Sequence, residues 1–125
     1  MKILSIDDSS VVRKIIKGAV DVIEYELLEA SDGYEGLEIL RKYHNEIKLV
    51  LLDWNMPGLS GIEVLQEMKE DNLLKSIPVM MVTTESEKEN IIKAIKLGAS
   101  HYVIKPFAME ELTRKILETL GLGGD

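Results

Sequence analysis

The feature that most limits what this chain can become is an alternation. Five short runs rich in Val, Ile and Leu, KILSI (2–6), YELLEA (25–30), KLVLLD (48–53), PVMMV (78–82) and HYVI (101–104), are separated by stretches of helical periodicity. Over 10–23, Val12, Ile15, Ile16, Ala19 and Ile23 recur at three- and four-residue steps, and Ser10 is placed to cap the start. Leu37 and Leu40 turn inward over 34–43, and Ile62, Leu65 and Met68 do so over 61–70. The stretch 87–97 carries Ile91, Ile92 and Ile95 and stops at Gly98; 109–120 carries Leu112, Ile116 and Leu120 and ends in GLGG. Apolar strands with helices between them form a parallel sheet covered on both faces and joined by right-handed crossovers. The expected fold is therefore α/β, a doubly wound five-stranded parallel sheet with five helices. At 125 residues the chain suits one domain, expected over 1–121 with a frayed tail over 122–125.

In such folds ligands sit beyond the carboxyl ends of the strands, so the residues found there matter most. In LVLLDWNMPG (49–58) four apolar residues lead directly to Asp53, and Asn55, Pro57 and Gly58 then make a turn. The first run ends in Asp7, Asp8 and Ser9, the fourth in Thr83, Thr84 and Glu85, the fifth in Lys105, Pro106 and Phe107. The second is followed only by Ser31, Asp32 and Gly33, as expected of an edge strand. Three carboxylates at close range raise one another's pKa and call for a cation. With no His or Cys nearby, oxygen ligands suit a hard ion, Mg²⁺ ahead of a Ca²⁺ cage. Lys105 adds a fixed positive charge. A carboxylate surrounded by a metal ion, a lysine and the Thr83 hydroxyl points to phosphoryl transfer onto Asp53.

Several classes drop out. There is no cysteine, hence no disulfide frame, thiolate zinc site or cysteine nucleophile. The net charge is −7 with no Lys/Arg run, which speaks against direct nucleic-acid binding. No apolar run reaches the roughly 20 residues of a membrane span, and the N-terminus turns acidic after six residues, unlike a signal peptide. A cytoplasmic, monomeric protein without membrane contact is expected. His44 and His101 have no second ligand at metal spacing and are expected at the surface, and the methionines read as core filler.

Four elements in order, IDDS, DWNMPG, VTTE and IKPF, resemble the receiver domain of two-component response regulators along essentially the whole chain. The resemblance implies a flavodoxin-like strand order 2-1-3-4-5 and phosphorylation of Asp53 by a histidine kinase or phosphotransfer protein. It implies Mg²⁺ held by Asp7, Asp8, Asp53 and the main-chain carbonyl of Asn55, with Thr83 as the switching hydroxyl, Tyr102 as the aromatic that moves with it, and Lys105 as the phosphate ligand. The Lys105–Pro106 bond is expected to be cis. Asn55 and Glu85 are expected to tune hydrolysis of the acyl phosphate. Within the family, DWNMP and KENIIKAIKLGASHYVIKPF look most like the chemotaxis regulators, which implies a flagellar motor switch protein as target. That target would bind the fourth helix, fifth strand and fifth helix, where Lys88, Ile91, Ile95, Tyr102 and Lys115 lie. Ser9 and Thr84 depart from residues frequent in that branch.

Other readings compete. A stand-alone phosphorelay intermediate, or a receiver excised from a longer regulator, has the same site. A Mg²⁺-dependent aspartyl phosphatase of the haloacid dehalogenase pattern wants Asp where Asn55 stands. An FMN carrier shares the fold, but the acidic DDSS loop would repel its phosphate. A receiver-like interaction domain that is never phosphorylated would not need the acidic set.

Overall fold

A computed structural model describes residues 1–122. Strands β1 (Lys2–Ile6), β2 (Glu26–Ala30), β3 (Ile47–Leu52), β4 (Val79–Thr83) and β5 (His101–Ile104) alternate with helices α1 (Ser10–Ile23), α2 (Gly33–Tyr43), α3 (Gly61–Glu70), α4 (Lys88–Leu97) and α5 (Met109–Leu120). All pairings are parallel and the strand order is β2-β1-β3-β4-β5, the doubly wound flavodoxin-like arrangement. The chain reverses its direction of winding between β1 and β3, so the carboxyl ends of these two strands flank the crevice.

Side-chain alternation divides the core into two layers. Leu4, Ile6, Val50, Leu52, Val79 and Met81 pack with Leu37 and Leu40 of α2, Val64, Leu65 and Met68 of α3, and Ala94 of α4. Ile3, Leu49, Leu51, Met80, Val82 and Val103 pack with Ile16, Ala19 and Val20 of α1 and with Leu112 and Ile116 of α5. The central strands β3 and β4 are buried throughout apart from half-buried Lys48, whereas edge strand β2 exposes Glu26 and Glu29, charges that discourage pairing with another chain.

Several details differ from the periodicity. The cap of α1 is Ser9, not Ser10: Ser9 is extended and its Oγ accepts the Val12 N–H. Ile15 is exposed while Val20 is fully buried: the inward stripe of α1 is Ile16, Ala19 and Val20, in one cluster with Leu112 and Ile116 of α5. Of the α4 residues only Ala94 is buried; Ile91 is half-buried and Ile92 and Ile95 are exposed. Tyr25 precedes β2, and Thr83 is the last residue inside β4 rather than the first beyond it. Most of the tail expected over 122–125 lies outside the described residues; at its start, the Leu122 N–H donates to the Leu117 carbonyl.

Candidate functional site

The ends of β1 and β3 bring the acidic residues together. Asp7 follows β1 and donates its N–H to the Ala30 carbonyl of β2 (3.0 Å), while the Asp53 N–H, just past β3, donates to the Ile6 carbonyl of β1 (3.0 Å). Main-chain bonds at the carboxyl edge of the sheet thus fix the backbone from which both carboxylates leave. Carboxylate oxygens of Asp7, Asp8 and Asp53 lie within 4.8 Å of one another. Asp7 and Asp53 are buried and Asp8 is exposed, so the cluster opens to solvent on one side.

Lys105 reaches in from the end of β5, which the Lys105 N–H extends by donating to the Thr83 carbonyl. Its Nζ donates to Asp7 Oδ2 (2.8 Å) and Asp53 Oδ2 (3.4 Å). The Lys105–Pro106 bond is cis. Asp7 Oδ1 accepts the Ser9 N–H, and Asp53 Oδ1 accepts the Asn55 N–H. Burial pushes the Asp7 carboxyl above the usual carboxylate range; the Lys105 and Ser9 bonds pull it back, and the charge of Asp53 adds to the rise. One ammonium, paired with Asp7 and Asp53, thus stands in a cluster of three carboxylates. The donor set is all oxygen, compact and short of positive charge, which fits a small hard dication with room for water.

Thr83 is fully buried, and its Oγ1 accepts the Glu85 N–H at 3.2 Å. The hydroxyl is tied to the β4–α4 loop and makes no bond to Asp53. The same residue receives Tyr102, whose hydroxyl donates to the Glu85 carbonyl at 2.7 Å. Burial pushes the Tyr102 hydroxyl up to about 12, with the negative charges of Glu85 and Asp53 adding to the effect. The Glu85 carboxylate is engaged elsewhere: it accepts the N–H of Glu87, the residue just before the first turn of α4. Glu85 therefore links β4, β5 and the start of α4 within one loop.

A family model for the response regulator receiver domain matches residues 3–117. The chain belongs to this family. Among curated proteins, the receiver is 40% identical over 122 residues to chemotaxis protein CheY1 of Helicobacter pylori, covering 97% of this chain and 98% of that one. It is 37% identical over 124 residues to the CheY homolog of Campylobacter jejuni, covering 98% and 95%. Among solved structures, chemotaxis protein CheY4 of Vibrio cholerae superimposes with a TM-score of 0.86 at 29% identity, over 94% of this chain and 97% of that one. The receiver is of CheY type; receiver domains bind Mg²⁺ at an acidic pocket, and this chain has an acidic cluster of Asp7, Asp8 and Asp53.

The remaining expected residues divide. Tyr102 lies on β5 and Ile91, Ile95 and Lys88 on α4, with Ile95 46% exposed, so an apolar position stands open on this side of the receiver. Lys115 on α5 is partly covered and lies 3.8 Å from Glu111. Both histidines are half-buried rather than at the open surface. Trp54 is half-buried against the α2–α4 layer. No helix among the described residues is long and apolar enough to cross a membrane.

Two supports of the site carry little signal in the sequence. Gly61 opens α3 directly against the acceptor's own backbone: a Cβ there would collide with the Asp53 carbonyl oxygen, and the Gly61 N–H donates to the Trp54 carbonyl at 2.9 Å. Ser60, just before it, forms a reciprocal capping box with Glu63. A glycine after a serine suggests a helix start, but closeness to the backbone of Asp53, 8 residues away in sequence, is decided only by the fold.

Proposed function

We propose that this receiver is a single-domain response regulator that takes a phosphoryl group onto Asp53 and thereby changes the surface formed by α4, β5 and α5. The supporting observation is the convergence of a buried acceptor, two further carboxylates and Lys105 at the sheet's switch point. A carboxylate oxygen of Asp53 attacks phosphorus of a phosphohistidine on a kinase or phosphotransfer protein. The P–N bond breaks and its electron pair stays with the imidazole. Lys105 lies where it can leave Asp53 for an oxygen of the incoming group. Asp7, Asp8, Asp53 and the Asn55 carbonyl would hold Mg²⁺, which when bound supplies positive charge against the phosphoryl oxygens.

The Thr83 oxygen accepts the Glu85 N–H, while its proton is the part that can bond a phosphoryl oxygen. Turning the side chain toward the phosphoryl group draws Oγ1 away from the Glu85 amide and so frees the loop that carries the Tyr102 bond and the start of α4. The ligand shifts this balance only by its preference for one arrangement. Asn55 beside the acceptor and Glu85 in the loop set the access of the hydrolytic water. The reader of the changed face is a protein that contacts Lys88, Ile91, Ile95, Tyr102 and Lys115. Similarity to curated chemotaxis proteins supports a flagellar motor switch protein in that role, with a cytoplasmic monomer as the acting species.

Intact mass after incubation with acetyl phosphate tests the chemistry. A single phosphoryl adduct that requires Mg²⁺ and is lost in Asp53→Asn is expected. No adduct on the wild type, or an adduct on Asp53→Asn of equal yield, would overturn the assignment.

A further inference from the structure

Asp8 is the member of the acidic cluster with the least support. It is exposed, and among the described residues its carboxylate has no hydrogen-bond or ion-pair partner. Its backbone is fixed from a different direction. The Asp7 carbonyl, beyond the last ladder bond of β1, accepts a hydrogen bond from Arg13 Nη1 of α1 at 3.2 Å. A peptide unit is planar, so fixing the carbonyl oxygen of residue 7 also fixes the N and Cα of residue 8. Arg13 therefore sets the direction in which Asp8 leaves the chain, without touching either carboxylate.

The other end of the guanidinium is also held. Arg13 Nε lies 3.5 Å from Glu29 Oε1 on β2, shielded from solvent but out of line for a hydrogen bond. The side chain, 23% exposed, thus spans from edge strand β2 to the β1–α1 turn. A planar fork of five donors can serve both ends at once; a lysine ammonium on a flexible stem cannot hold that geometry.

We propose that Arg13 is a positioning residue for the acidic pocket, tying the Asp7–Asp8 peptide to α1 and β2 and so setting the pocket's affinity for a divalent cation. This rests on the reading above that the pocket takes Mg²⁺. Positioning and simple charge make opposite predictions. A guanidinium behind three carboxylates repels a cation, so a role through charge alone means that neutralising Arg13 tightens binding. A positioning role means that any change of the fork weakens it.

The test is Mg²⁺ titration of wild type, Arg13→Lys and Arg13→Gln, read by Trp54 fluorescence and by calorimetry, with folding checked by circular dichroism. Both variants are expected to bind about tenfold more weakly, the size usual for groups that orient metal ligands. Glu29→Gln keeps Arg13 and removes only its outer anchor, so a smaller shift of the same sign is expected even where an Arg13 variant folds poorly. Unchanged affinity in folded variants with lowered melting temperature would reduce Arg13 to a structural brace. Tighter binding in Arg13→Gln alone would assign the effect to charge. Either result overturns the proposal, whereas a wild type that binds no Mg²⁺ would instead overturn the reading of the pocket.

Discussion

Replacing Gly61 with alanine is the substitution whose consequences the structure specifies most fully. The added Cβ would stand 2.8 Å from both the Asp53 carbonyl carbon and Trp54 Cα, and closer still to the Asp53 carbonyl oxygen. Ordinary contact begins near 3.4 Å, so the backbone of the acceptor or the first turn of α3 has to move by more than about 0.6 Å. The move strains the bond from the Gly61 N–H to the Trp54 carbonyl. Overpacking of this kind costs about 1–3 kcal/mol and a lost hydrogen bond about 1 kcal/mol, together about 2–4 kcal/mol. That corresponds to a fall of roughly 10 °C in melting temperature. Because the strain falls on Asp53 itself, the rate of phosphoryl adduct formation from acetyl phosphate should drop by about tenfold or more. Gly36→Ala is the control: its Cβ would meet the side chain of Ile6, not the acceptor's backbone. It should lower stability in urea unfolding while leaving adduct formation close to wild type. Equal stability and rate in Gly61→Ala, or equal loss of rate in both variants, would refute the reasoning.

Three further outcomes follow from the same geometry. Lys105→Met removes the cation bonded to buried Asp7, and breaking such a pair costs about 3 kcal/mol; urea unfolding should show this loss without Mg²⁺ and a larger recovery on adding Mg²⁺ than in wild type. Tyr102 holds its proton up to about pH 12, above the ordinary tyrosine value of about 10. The native state thus binds more protons than the unfolded chain between these values, and stability should fall as pH rises through that window. Tyr102→Phe should show a shallower fall, and tyrosinate absorbance should show in the wild type a late titration step that Tyr102→Phe lacks. Ile95→Ala, at an exposed position of α4, should change stability by less than about 0.5 kcal/mol and leave adduct formation intact while weakening capture of the protein target.

Much of this architecture is legible without coordinates because each level of the sequence agrees with the next. The runs at 49–52 and 78–82 are apolar throughout, as strands of a doubly covered parallel sheet are, and Asp53 stands at the end of the first of them. Asp7, Asp53 and Lys105, which the structure joins, could therefore be read as a group. The burial of α1 was harder to read because eight of its fourteen residues are apolar, so period alone leaves the inward stripe ambiguous and misplaces Ile15 and Val20. Gly61 and Arg13 were invisible for a different reason. A glycine's closeness to another backbone, or an arginine's bond to a carbonyl, depends on where two distant segments cross. The engagement of Glu85 at both of its backbone groups and its carboxylate is likewise a property of the folded loop, not of the residue type.

The measurement that tests the central claim most directly is amide exchange followed by NMR in the presence of Mg²⁺, with and without excess acetyl phosphate. If the phosphoryl group on Asp53 draws the Thr83 hydroxyl from the Glu85 N–H, the Glu85 amide should exchange faster on phosphorylation. The amides at the start of α4 should change with it, and neither effect should occur in Thr83→Ala. An adduct that forms on Asp53 while the Glu85 and α4 amides keep their original protection would contradict the coupling of this site to the α4–β5–α5 face.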